Sequence, residues 1–104
     1  LTNNDDFFKV SFTDLSATKL RPALVLSQKN KFGDLLLAFI TTTLEQEETD
    51  VTLNSPEGGI KKDSVIKLSK ITTLNKSLIV GLLGKINEDT EKQVNQKLKL
   101  LLNL

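Results

Sequence analysis

Apolar and polar positions alternate early in the chain. Phe8, Val10 and Phe12 are separated by Lys9, Ser11 and Thr13, the period of two that a half-buried β-strand imposes. Asp14 to Thr18 then reads as a turn or short loop. The pattern changes at TKLRPALVLS, residues 18–27, where Ala23-Leu24-Val25-Leu26 is continuously apolar. A strand that is apolar on both sides belongs in the middle of a sheet, so 22–27 is expected to be central. Pro22 holds the preceding Arg21 in extended geometry, at the start of that strand. After the polar link Gln28 to Lys31 and the Gly33-Asp34 turn, Leu35 to Thr43 predicts a third strand ending in three threonines.

The second half is more finely divided. Leu44 to Glu48 is an acidic loop, Val51 to Leu53 a short strand, and Ser55-Pro56-Glu57-Gly58-Gly59 a strong turn signal. Three more short strands are expected at Val65–Leu68, Ile71–Leu74 and Leu78–Ile86, with Asn75-Lys76-Ser77 turning between the last two. From residue 87 the period lengthens. Asn87 can cap a helix, and Glu88 and Asp89 place negative charge in its first turn. Val94, Leu98, Leu101 and Leu102 then form one apolar stripe. That helix, roughly 88–102, is expected to pack on the strands or at their mouth; a partner-binding helix is the other reading. The whole predicts a single domain over 1–104, mainly β (α+β), a small barrel or sandwich of strands roughly within 7–86 followed by a helix.

Composition narrows the chemistry. The chain has 104 residues, 38% hydrophobic and 26% charged, ordinary values for a globular domain. A net charge of +1 advertises no global field for nucleic acid, although a local patch remains open. There is no cysteine and no histidine, so thiol nucleophiles, disulfides and the commonest proton shuttle and metal ligand are all missing. No metal site and no cofactor are expected. No apolar run approaches the ~18 residues of a spanning helix, and LTNNDDFF has no basic segment leading into an apolar one. A soluble cytoplasmic protein without membrane attachment is expected.

Any catalysis must therefore rest on hydroxyls, carboxylates, lysines and the single arginine, Arg21. Its planar, permanently charged fork suits phosphate oxygens. By charge alone, a surface ion pair with Asp14 or Glu57 is the other reading. Thr41, Thr42 and Thr43 could hydrogen-bond a phosphate, or could serve only as good strand formers. Lys61 and Lys62 after the glycine turn, and Lys67 and Lys70 beyond them, add positive charge that can equally be a solvated face. Gly58-Gly59 lacks the surroundings of a phosphate loop and reads as a turn. Phe32 could stack a base or anchor its own loop.

The order of segments goes further. FTDLSATKLRPALVLS, a following strand ending in Ile40-Thr41-Thr42, and the later GGIKKDSVIKLSKITTL and GLLGKI together resemble the PemK/MazF-like toxins, the toxin halves of bacterial toxin–antitoxin pairs. The resemblance covers about Phe7 to Leu102, and RPALVLS is its most specific part. It implies an SH3-like β-barrel with a C-terminal helix, a homodimer, a cognate antitoxin partner, and metal-independent endoribonuclease activity on single-stranded RNA. In that pattern the catalytic arginine of the Arg-Pro pair is Arg21, and the threonine of the Ile-Thr pair is Thr41. Asp14 and Lys19 stand in the right loop to carry protons. Lys19, Thr42, Lys61, Lys62, Lys67 and Ser69 are the expected RNA contacts.

The sequence also departs from the family. NNDDFFKVSF occupies the place of the usual Gly-Asp before the first strand, the loop before Arg21 is short, and Lys67 and Ser69 stand where some relatives carry arginine and aspartate. Two other function classes follow from these departures. One is a non-catalytic module binding RNA or a protein such as a topoisomerase; the other is a purely structural interaction domain.

Overall fold

A computed structural model of the chain describes residues 6–13, 18–27 and 29–104, with side chains from residue 20 on. Six strands are followed by one helix: β1 (Asp6–Thr13), β2 (Thr18–Val25), β3 (Asp34–Thr41), β4 (Val51–Leu53), β5 (Ser64–Asn75), β6 (Ile79–Lys85) and α1 (Glu88–Leu102). Short 3₁₀ turns cover Glu57–Gly59 and Lys76–Leu78. The strands form one antiparallel sheet in the order β4-β5-β3-β2-β1-β6. Among the described residues no helix is long and apolar enough to cross a membrane.

The continuous apolar run of β2 is explained by two cores, one on each face of the sheet. Leu24 and Leu26 join Ala38, Ile40, Ile66 and Leu68 on the face covered by the helix residues Val94 and Leu98. Ala23 and Val25 join Leu35 and Leu37 on the other face, with Phe39, Leu74 and Ile79 packed against them. Ala23, Leu24, Leu37 and Ala38 are fully buried. Burying a leucine-sized side chain such as Leu24 or Leu37 contributes roughly 1.5–3 kcal/mol, so both faces of this strand pair are anchored.

Two strands expected at Val65–Leu68 and Ile71–Leu74 are one strand, β5. The polar residues that suggested a break mark an irregularity instead. Ala38 faces Ile71 while Ile40 faces Ile66, so residues 67–70 of β5 lie against Phe39 alone. Extra residues on one strand bend it and increase its twist. The strand thus passes from β3 to the short β4 without ending, and Lys67, Ser69 and Lys70 occupy the bend.

Among the described residues the strand pairing does not close a barrel: β4 and β6 are the two edges of the sheet. Instead the Glu57–Gly59 turn, with Gly58 and Gly59 at φ of 68° and 80°, lies against β6. The approach is close. A Cβ at Gly84 would stand 2.5 Å from the Gly58 carbonyl oxygen, and one at Gly59 would stand 3.0 Å from that of Leu83. The turn caps an edge that would otherwise offer its backbone for pairing.

Helix α1 starts as its sequence implies. The Asn87 side chain accepts from the Thr90 N–H at 2.8 Å. Glu57 in turn accepts from the Asn87 backbone and side-chain N–H groups at 2.9 and 3.1 Å, tying the helix start to the 57–59 turn. The apolar stripe is only half used. Val94 and Leu98 are buried, whereas Leu101 and Leu102 are exposed. The helix lies over β4 and β5. A helix of 15 residues spans ~22 Å, while the three residues of β4 span ~10 Å. The helix is therefore longer than β4 alone can cover.

The acidic loop between β3 and β4 is held from below by Asp50. Its carboxylate accepts from the Ser69 N–H and hydroxyl at 3.0 and 2.9 Å and from the Glu47 N–H at 2.9 Å. Lys67 Nζ stands 2.7 Å from the same group, which is buried with its side chain 0% exposed. Burial alone would raise the Asp50 pKa; the Lys67 ammonium and the Glu47 and Ser69 donors outweigh it and hold the carboxyl below its ordinary value. One buried carboxylate thus fastens the loop to the bend of β5.

Two outcomes test this architecture. Gly84→Ala must push the 57–59 turn away from β6 and should cost about 1–3 kcal/mol, whereas Gly81→Ala, with nothing within 4 Å of the new Cβ, should be neutral within about 0.5 kcal/mol. Urea midpoints of the two variants check this. Asp50→Asn should cost about 1–3 kcal/mol at neutral pH. Because the folded pKa lies below the unfolded one, the native carboxylate contributes fully above the ordinary aspartate value. Its contribution is lost as pH falls through the lowered folded value. The stability gap between parent and Asp50→Asn should close over that acidic window, and a pH series of unfolding curves measures it.

Candidate active site

Arg21 and Pro22 lie inside β2, not at its start, because the strand begins at Thr18. On the β1 side the pairing is regular, with Arg21 opposite Val10 and Pro22 opposite Lys9. On the β3 side the ladder runs from Val25↔Leu37 to Ala23↔Phe39 and stops. Proline has no N–H to donate, so a ladder ending beside Pro22 is the expected consequence. Continued two residues further, the same register sets Arg21 opposite Thr41. Both then share the sheet face of Ala23, Val25, Leu37 and Phe39, at the end where β2 and β3 are no longer laddered.

Thr41 is the last residue of β3 and pairs with Val65 of β5 on its other side. Its Oγ1 accepts from the Thr43 N–H at 3.2 Å. An accepting hydroxyl keeps its own O–H for another partner. The strand ends here, so strict alternation of faces ends with it, and Thr41, Thr42 and Thr43 all line one groove.

Two grooves meet at Arg21 and Thr41. The first, about 660 Å³, runs between these residues and the segment 59–62; Thr42, Lys61 and Lys62 line it over apolar Leu20, Pro22, Ile40, Ile60 and Leu83. The second, about 760 Å³, lies between the same two residues and the acidic loop; Glu45, Glu47 and Glu48 form one wall, with Phe39, Lys67, Ser69 and Lys70 also lining it. Arg21, Thr42, Lys61 and Lys62 are exposed and Thr41 half-buried.

The structure therefore brings Arg21, Thr41, Thr42, Lys61 and Lys62 together around the first groove. Lys67 and Ser69 border the second, with the Lys67 ammonium and the Ser69 hydroxyl engaged by Asp50. Asp14 lies outside the described residues, and of Lys19 only the backbone, opposite Phe12, is described. The alternative partner for Arg21, Glu57, instead hydrogen-bonds Asn87 through both carboxylate oxygens. Phe32 is far from the site. It sits in the β2–β3 turn, ~25 Å along the hairpin from Arg21, with Lys31 Nζ 5.1 Å from its ring centre. Sequence reasoning missed the apolar floor, which comes from four separate segments of the chain. It also missed the glutamate wall, read there only as an acidic loop. Among the described residues no group of three or more carboxylate, histidine or thiol side chains is placed to hold a metal ion.

Comparisons with known proteins bear on the fold and the family. A search of curated proteins gives no match. Among solved structures, a mycobacterial endoribonuclease in complex with its cognate antitoxin superposes with a TM-score of 0.77 at 21% identity, covering 100% of this chain and 97% of that one. The Mycobacterium tuberculosis toxin MazF-mt6 gives 0.77 at 20% identity, covering 93% and 96%. A further mycobacterial endoribonuclease gives 0.73 at 22%, covering 97% and 90%. At these identities the likeness establishes a shared fold. The family model for the PemK-like, MazF-like toxins of type II toxin–antitoxin systems matches residues 5–102. With nearly the whole chain matched, the protein belongs to the PemK-like, MazF-like toxin family.

Proposed function

We propose that this chain is the toxin of a toxin–antitoxin pair and acts as a metal-independent endoribonuclease on single-stranded RNA. The observation that carries the reading is the convergence of Arg21 and Thr41 at the junction of two grooves, at the point where the β2–β3 ladder stops. The related folds described as endoribonucleases support it. The scaffold is read as an SH3-like barrel in which the 57–59 turn, lying against β6, takes the place of a closing strand pair.

In this reading the 2′-oxygen of the ribose attacks the adjacent phosphorus and the bond to the 5′-oxygen breaks, leaving a cyclic phosphate and a 5′-hydroxyl. No enzyme nucleophile is needed, which suits a chain without histidine or cysteine. Charge builds on the non-bridging oxygens. The Arg21 fork and the Thr41 O–H are donors held where that charge develops. One proton leaves the 2′-hydroxyl and one reaches the departing oxygen. These transfers fall to the segment before Arg21, where Asp14 and Lys19 are the candidates. DNA, lacking the 2′-hydroxyl, is not a substrate. The cognate antitoxin neutralises the toxin by covering the Arg21 groove with an acidic segment attracted to Lys61 and Lys62. Exposed Val80 and Leu82 on the edge strand β6 support assembly as a homodimer.

Purified protein should cleave a long single-stranded RNA in the presence of EDTA. Arg21→Ala should lower the rate about 100–1,000-fold with an unchanged circular dichroism spectrum, and Arg21→Lys should also be impaired because an ammonium cannot make the bidentate contact. Thr41→Val should cut the rate at least ~10-fold with little loss of RNA affinity. Full cleavage by a folded Arg21→Ala protein would falsify the assignment. A folded parent that binds RNA without cutting it would instead favour the binding-module reading. Antitoxin affinity should fall as salt rises, and fall further in Lys61→Glu/Lys62→Glu; calorimetry at two salt concentrations reads both.

A further inference from the structure

The two grooves that meet at Arg21 and Thr41 differ in charge, and this decides how a polyanion can lie across the site. The first carries Arg21, Lys61 and Lys62 and no carboxylate. In the second, Glu45, Glu47 and Glu48 face Arg21, Lys67 and Lys70. Lys67 is already matched by another carboxylate, because its Nζ is 2.7 Å from Asp50. The glutamate wall is also held in place: Asp50 accepts the Glu47 N–H and the two donors of Ser69, fixing the loop to β5. The floors differ as well, with aliphatic side chains from Leu20 to Leu83 under the first groove and Phe39 beside the second.

Resting on the endoribonuclease reading, we infer that RNA follows one groove only. The strand lies along Lys61 and Lys62, with its phosphates on the ammonium groups and its bases over the aliphatic floor. It leaves the site past Arg21 and Thr41 without entering the second groove, because Glu45, Glu47 and Glu48 repel its phosphates. The acidic loop is then a specificity element: it limits backbone recognition to one side of the scissile phosphate, and Asp50, Lys67 and Ser69 are its positioning residues. A positively charged groove is what tracks the backbone of single-stranded nucleic acid, and like charges placed against a polyanion suppress the wrong path.

The test uses an RNA oligonucleotide spanning one mapped cleavage site. A single 2′-deoxy nucleotide blocks the reaction, and uncharged methylphosphonate linkages are placed one at a time on either side of the scissile phosphate. Neutral linkages on one side should weaken binding and those on the other should leave it unchanged. Lys61→Gln/Lys62→Gln should abolish the sensitivity of the first side and reduce the slope of log affinity against log salt by about 1.4, roughly 0.7 per phosphate contact. Glu45→Gln/Glu47→Gln/Glu48→Gln should bind more tightly at low salt and acquire sensitivity on the second side. Equal sensitivity on both sides in the parent overturns the one-sided path while leaving the nuclease reading intact, as does a triple glutamine variant, folded by circular dichroism, that binds like the parent. A parent that cuts no RNA overturns the nuclease reading and the path together.

Discussion

The site depends on a missing hydrogen-bond donor. Pro22 lies within β2, a central strand whose neighbours on both sides are laddered, and it contributes no N–H. The β2–β3 ladder accordingly ends at Ala23↔Phe39, one residue short of it. Past that point Arg21 and Thr41 stand at the open end of a strand pair anchored by two buried cores. The guanidinium is therefore carried by rigid backbone, yet remains exposed. In the proposed nuclease role this combination suits a donor to developing charge, since it needs little reorganisation when charge appears.

The walls around that junction are fixed by separate contacts. The 57–59 turn, which leads into Lys61 and Lys62, is pressed onto β6 with no room for a Cβ at Gly84, and Glu57 locks it to the start of α1. The acidic loop opposite is held by Asp50 against the bend of β5. A buried carboxylate with four donors about it stabilises only while ionised, so this wall is the acid-sensitive one. Stability and groove shape are joined there: the residues that bend β5 are also those that hold the loop.

The sequence by itself determined the elements whose cause is local. Alternation located β1, the apolar run located the central strand, and Asn87 with Glu88 and Asp89 located the helix start. The Arg-Pro pair pointed to Arg21 because it is the chain's one arginine and Pro22 holds it extended beside the apolar run. What only the tertiary structure decided involves partners distant in sequence. Ser69 and Lys70 separate two apolar stretches, so β5 reads as two strands; Asp50, 19 residues from Ser69, holds the bend of what is a single strand. Leu101 and Leu102 continue a helical stripe, but only the packing decides that Val94 and Leu98 are covered while these two are exposed. Strand spacing suggested a barrel, yet edge closure depends on how nearly two glycine backbones approach, which spacing does not encode. The same holds for the opposing charges of the two grooves, since Lys61, Lys62 and the glutamates acquire their relation to Arg21 only when three segments are folded around it.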